Sequence, residues 1–199
     1  MIPLSLLEAI RNLDTPLDDG LNEVAGETLA KRLGLSATVA QQIERYREDA
    51  ARNQRIETEE ALSVFRLVAR RPDAALIYSD AGRRAARHAA RAGGLARLLM
   101  FTTAASVRRR LGVRAARKTA RRVLGVELGL ARGSPEMRLD ESLATRAGAP
   151  GDGCYFYGAA IAELLRIAGG FEGAMIHERC RARGDELCVW RAAEPGGYE

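Results

Sequence analysis

A chain of 199 residues, 47% hydrophobic and 29% charged, can bury a core without disulfide staples and has the composition of a soluble globular protein. No apolar run approaches the roughly 20 residues of a membrane span. The opening MIPLSLLEAIRNLD carries acids and no basic stretch, unlike a secretory leader, so a cytoplasmic protein is expected. The net charge of +5 conceals an asymmetry: residues 81–126 hold thirteen Arg/Lys and no acid, against ten and fourteen in 1–80 and eight and twelve in 127–199.

The first seventy residues read as helices. Leu4 to Leu13 forms a short apolar helix stopped by Asp14-Thr15-Pro16. A second runs from about Leu17 to Leu33, with Asp18 and Asp19 in a first turn that favours negative charge, and Gly34 as its left-handed terminator. Ser36 caps a third, in which Val39, Ile43 and Tyr46 have core spacing. Glu57 or Thr58 opens a fourth, with Leu62, Phe65, Leu67 and Val68 as its buried stripe.

Pro72-Asp73 starts the basic half. Helices are predicted over Ala74–Ala92, Leu95–Leu111 and Val113–Leu124, with Gly93-Gly94 and Gly112 as joints. From Val123 the period becomes alternating, and two strands, 123–132 and 136–146, are joined by a Gly133-Ser134-Pro135 turn. A helix from Cys154 to Ala168 follows, then a strand from Phe171, a turn at Arg183-Gly184-Asp185 and a strand from Glu186. The fold class is therefore α+β, with N-terminal helices followed by an antiparallel sheet packed against helices. The division is a helical region over 1–56 and an α+β domain over 57–199, whose core around the cysteines spans 123–193.

All three cysteines and one of the two histidines fall late in the chain, as C-x22-H-x2-C-x7-C: Cys154, His177, Cys180 and Cys188. Three thiols and an imidazole complete a tetrahedral zinc shell without water, as in structural sites. Cys180 and Cys188 flank one hairpin turn, where side chains face each other at distances a metal can bridge. Strict alternation puts Glu178 rather than His177 on the face of Cys180; a bulge would reverse this. Glu178 is therefore the alternative fourth ligand, and three buried cysteines that merely pack are the alternative to a metal.

The segment from Cys154 to Trp190 resembles the 4-vinyl reductase domain. Cys154 and Gly158 open a helix, Cys180 and Cys188 bracket a hairpin with Gly184-Asp185 in its turn, and Trp190 follows two residues later. His177 departs from the pattern, standing where that family usually has Glu. The resemblance implies an α/β fold related to bacterial ligand-sensing domains, commonly homodimeric, with an apolar pocket between helices and sheet. That pocket holds a hydrophobic or aromatic small molecule, and in phenol-sensing regulators a structural zinc lies beside it. By type and position, the candidate pocket residues are Phe101, Tyr155, Phe156, Tyr157 and Trp190. The expected function is a zinc-stabilised ligand-binding or sensor module. A role as accessory factor or reductase in tetrapyrrole synthesis is an alternative that the resemblance brings.

No G-x-G-x-x-G follows a strand, and two histidines, His88 and His177, do not make a Ser-His-Asp arrangement. A zinc with four protein ligands has no open position, so catalysis is not the expected role. Nucleic-acid binding is the remaining alternative. The segment E27-TLAKRLGLSATVAQQIERY has helix-turn-helix spacing at Ala30, Gly34, Leu35 and Ile43, with Gln41, Gln42 and Arg45 placed to reach bases. The segment and its flanks together are acidic, which opposes phosphate binding. For the basic helices of 81–126, a solvated or partner-facing surface is favoured over nucleic acid.

Overall fold

The computed structural model describes residues 1–15, 33–52, 54, 56–91, 105–131, 133–149 and 151–193, with 105–110 as backbone only. Helix α1 is Ile2–Asp14. Its Leu4, Leu6, Leu7, Ala9 and Ile10 are all buried, so this helix is an interior element rather than an appendage. Helices α2 (Ala37–Ala51), α3 (Thr58–Ala69) and α4 (Ala74–Arg91) follow. Ser36 caps α2 by accepting the Val39 N–H at 3.3 Å, and Val39, Ile43 and Tyr46 face inward as the spacing requires.

Helix α5 spans Ala105–Leu124 without a break. Gly112 is thus no joint. A Cβ there would overlap the Ala168 carbonyl oxygen and come within 2.6 Å of the Gly169 Cα, so Gly112 lets a neighbouring helix approach. Gly34 is likewise not a left-handed terminator. It lies in a 3₁₀ turn, Leu33–Leu35, where a Cβ would meet Arg11, Ile10 and Asp14 at 2.8 Å. Its N–H donates to Asp14 Oδ2 (2.8 Å), a carboxylate also gripped by Arg71 at 2.7 and 3.1 Å. The helix expected over 17–33 and the one expected to begin at Leu95 fall largely outside the described residues.

Strands β1 (Glu127–Ala131) and β2 (Ser134–Leu139) form an antiparallel pair. The turn is tighter than expected, since Ser134 and Pro135 already pair with Ala131 and Leu130. Strand β2 stops at Leu139 instead of continuing to 146. Ser142 and Thr145 form a reciprocal capping box that converts Leu143–Arg146 into a short helix, α6. Helix α7 (Cys154–Gly169) ends at left-handed Gly170, and β3 (Ala174–Arg179) and β4 (Cys188–Ala193) complete the sheet. The order is β1-β2-β4-β3, all antiparallel.

The molecule is therefore α+β, with helices preceding the sheet. Helix α7 is apolar on most of its circumference because it contacts β3 as well as α4 and α5. One continuous core runs from Leu4 in α1 to Trp190 in β4 and so includes residues on both sides of position 56. Among the described residues, no helix is long and apolar enough to cross a membrane.

An ion cluster around the buried Glu8 ties the N-terminal helices together. Glu8 of α1 accepts from His88 Nε2 of α4 at 2.8 Å and from Arg47 Nη2 of α2 at 2.9 Å. Burial alone would raise the Glu8 carboxyl, but these two partners outweigh it and hold it down at about 2 instead of 4.5. A depressed carboxylate contributes stability above its unfolded value and loses it as pH falls through its folded one. Stability should therefore drop between pH 4.5 and about 2. Glu8→Gln, less stable at neutral pH, should show a shallower fall in thermal melts across that window; an unchanged slope would mean that other carboxylates carry the acid transition.

Candidate metal centre

The site is built where the start of α7 meets the β3–β4 hairpin. Cys154 is the first residue of α7, placed by a Gly151-Asp152-Gly153 turn in which the Cys154 N–H donates to the Gly151 carbonyl at 3.0 Å. The N-terminal end of a helix favours a thiolate. Cys188 opens β4, and alternation puts Trp190 on the same face.

The hairpin turn is cross-braced. The Cys180 N–H donates to Asp185 Oδ2 at 2.6 Å, and the Cys180 carbonyl accepts from the N–H groups of Arg183 (2.8 Å) and Asp185 (3.3 Å). Gly184, at φ +99°, supplies the left-handed step that the turn needs. The Arg181 N–H donates to Cys188 Sγ at 3.4 Å, a bond that favours sulfur carrying negative charge.

His177 enters the group through a register shift. It pairs with Trp190, while Arg179 pairs with Val189, so Glu178 is the extra residue of a bulge. The shift turns His177 toward the cysteines, and its ring stacks on the Trp190 indole, with centroids 4.2 Å apart and planes 5° apart. Glu178 points the other way and pairs with Arg191 at 3.0 Å. Of the two candidates for fourth position, His177 is the one brought in.

The four side chains fit a cation. Their ligand atoms all lie within 4.8 Å of one another. The Cys154 and Cys180 sulfurs are 3.8 Å apart, close to the ~3.8 Å edge of a tetrahedron with ~2.3 Å metal–sulfur arms. All three cysteines are free and buried. His177 Nε2 is buried without a hydrogen-bond partner. A buried polar atom left unpaired costs about 1–3 kcal/mol, and a metal bond is one way to satisfy it. Burial, and then the Arg183 charge, keep His177 below its ordinary value, so the ring is neutral, the form that ligates. Burial and neighbouring thiols push Cys154 up, and burial does the same to Cys188. A cation would offset both effects by attracting the thiolates.

Of the four described pocket candidates, three come together and Tyr155 does not. Phe156, Tyr157 and Trp190 are buried and pack in series. Phe65 meets Phe156 edge-on at 5.6 Å, Phe156 meets Tyr157 at 5.3 Å, and Tyr157 meets Trp190 at 6.2 Å. The Tyr157 hydroxyl also accepts the Leu143 N–H at 3.0 Å. Tyr155, between them in sequence, is 55% exposed, and Phe101 lies outside the described residues. Gly158 fits this layer because a Cβ there would stand 3.2 Å from the Trp190 indole.

The bracing role of Asp185 was not foreseen, although the Arg-Gly-Asp run is a recognisable turn signal. Asp185→Ala should weaken metal affinity by roughly 10- to 100-fold, the usual loss when a group that orients a ligand is removed. Competition against a chromophoric chelator measures this, and an unchanged affinity would show that the turn holds without its brace.

No family model, no curated protein and no solved structure matches the chain.

Proposed function

We propose that the chain is a zinc-stabilised module that binds a small hydrophobic or aromatic molecule, with the metal in a structural role. The observation that carries the metal reading is the partnerless His177 Nε2 buried beside three cysteines with tetrahedral spacing. Thiolate-rich tetrahedral sites suit zinc, whereas oxygen-preferring calcium and magnesium have no hard ligand here. Four protein ligands fill the shell and leave no position for a reactive water. Zinc supplies a cross-link, fastening α7 to a hairpin that no disulfide secures.

Support for the ligand half is the resemblance to the 4-vinyl reductase domain, together with the aromatic series beside the metal group. Trp190 belongs to both, since it stacks on His177 and contacts Tyr157. A molecule inserted along Phe156, Tyr157 and Trp190 would bear on the hairpin directly, which is the coupling that a sensor requires.

Trp190 is the single tryptophan of the chain, so its fluorescence reports on this layer alone. Protein purified without a metal-binding tag should contain about one zinc per chain, one complete shell, and simple phenols should change Trp190 emission saturably. Less than about half an equivalent of zinc would remove the structural-metal reading. A full zinc content with no saturable response to phenols or other apolar ring compounds would remove the ligand reading and leave the metal.

A further inference from the structure

Three of the four arginines of α4 are paired within the fold, Arg91 at its end being the exception, whereas those described on α5 are not. In α4, Arg83 and Arg84 pair with Asp80, and Arg87 pairs with Glu163 of α7. Their charge is spent within the fold. In α5, Arg114, Arg117, Lys118, Arg121 and Arg122 are all exposed, and none makes an ion pair with another described residue. At 3.6 residues per turn these five occupy roughly 140° of the helix circumference and about 12 Å of its length. The opposite side of α5 carries Gly112, Ala116, Ala120 and Leu124, all buried, with Gly112 set against the end of α7. The result is a rigid cationic stripe on a helix whose apolar face is already committed.

We propose that this face of α5 binds the phosphate backbone of duplex nucleic acid without regard to sequence. Five cations in one stripe, without an ion-pair partner among the described residues and with no acid in the sequence between 81 and 126, complement a polyanion. Four of the five are arginines, whose planar fork matches phosphate. Residues 105–124 contain no Asn or Gln to pair with adenine edges and no aromatic to stack on bases, and a stripe of cations alone suits the repeating phosphates of the backbone. An anionic bilayer is the less suitable occupant. Interfacial helices bury an apolar face in lipid, and here that face is packed against α7.

The test is fluorescence anisotropy of the full zinc-loaded chain with short labelled duplexes of unrelated sequences. All should bind with similar affinity, and neutralising five phosphates predicts a loss of roughly 500-fold between about 50 and 200 mM salt. The triple variant Arg114→Glu, Lys118→Glu, Arg121→Glu should abolish binding while keeping the parent's zinc content and melting temperature. A charge-matched control, Arg52→Glu, Arg66→Glu, Arg70→Glu, alters exposed residues elsewhere and should bind like the parent. If charge reversal impairs folding, the corresponding Gln triple should reduce the salt slope by about three. The proposal is overturned by absence of binding at low salt, by equal loss in the stripe and control variants, or by binding to phosphatidylserine vesicles but not to duplex.

Discussion

Cys180→Ser should lose its zinc and at least about 4 kcal/mol of stability, a fall of roughly 8–16 °C in melting temperature for a chain of this size. The size follows from what the metal replaces. Among the described residues, no disulfide joins α7 to the hairpin; all three cysteines are free. A structural zinc contributes its binding energy to folding, and that energy compares with the whole stability of a domain. Cys180 is also the ligand on which the turn is built, since its N–H and carbonyl both serve the Asp185 brace. The side-chain change alone replaces a buried sulfur by a hydroxyl, which costs about 1–3 kcal/mol if left unpaired. The parent stripped by a chelator separates the two contributions. It should melt close to Cys180→Ser, and the remaining difference measures the buried hydroxyl. A variant that melts like the zinc-loaded parent would show that the cation, if present, is not structural. His177→Ala should behave as Cys180→Ser does, whereas Glu178→Ala, which loses only an exposed pair with Arg191, should not.

The grouping of the ligands was legible because cysteine and histidine are scarce here and a hairpin brings its flanks together. The choice between His177 and Glu178 was not legible. It depends on a bulge, and a one-residue shift in a strand reverses which side chain faces inward. Gly34 and Gly112 were misread for a related reason. Glycine serves both for a left-handed backbone and for close approach, and only the neighbours distinguish these uses. The early end of β2 reflects competition, in which the Ser142–Thr145 capping box overrides an alternating pattern. Consecutive aromatics in a helix diverge by about 100°, so Tyr155, Phe156 and Tyr157 could not all line one cavity. That limit was already in the sequence. Charge segregation was also visible in advance, but the pairing of Arg87 on α4 with Glu163, against the exposed cations of α5, required the packing of α7.

The second large effect is expected at Gly82, where two helices meet. Helices α4 and α7 meet through small residues, and a Cβ at position 82 would overlap the Phe156 carbonyl oxygen, with the Ala160 backbone nitrogen at 3.0 Å and the Ala159 Cβ at 3.1 Å. The first two are backbone atoms, so no rotamer change relieves the clash and the helices must separate. Separation would disturb Phe156, whose ring is wedged edge-on between Phe65 and Tyr157. Gly82→Ala gains up to about 1 kcal/mol of helix propensity but should still be destabilising, because the overlap is with backbone. Gly82→Val adds a branched side chain to the same space and should cost about 3 kcal/mol or more. Denaturant unfolding of the two variants measures the order. If valine is tolerated as well as glycine, α4 and α7 do not pack at this separation, and the placement of Phe156 in the aromatic series does not depend on it.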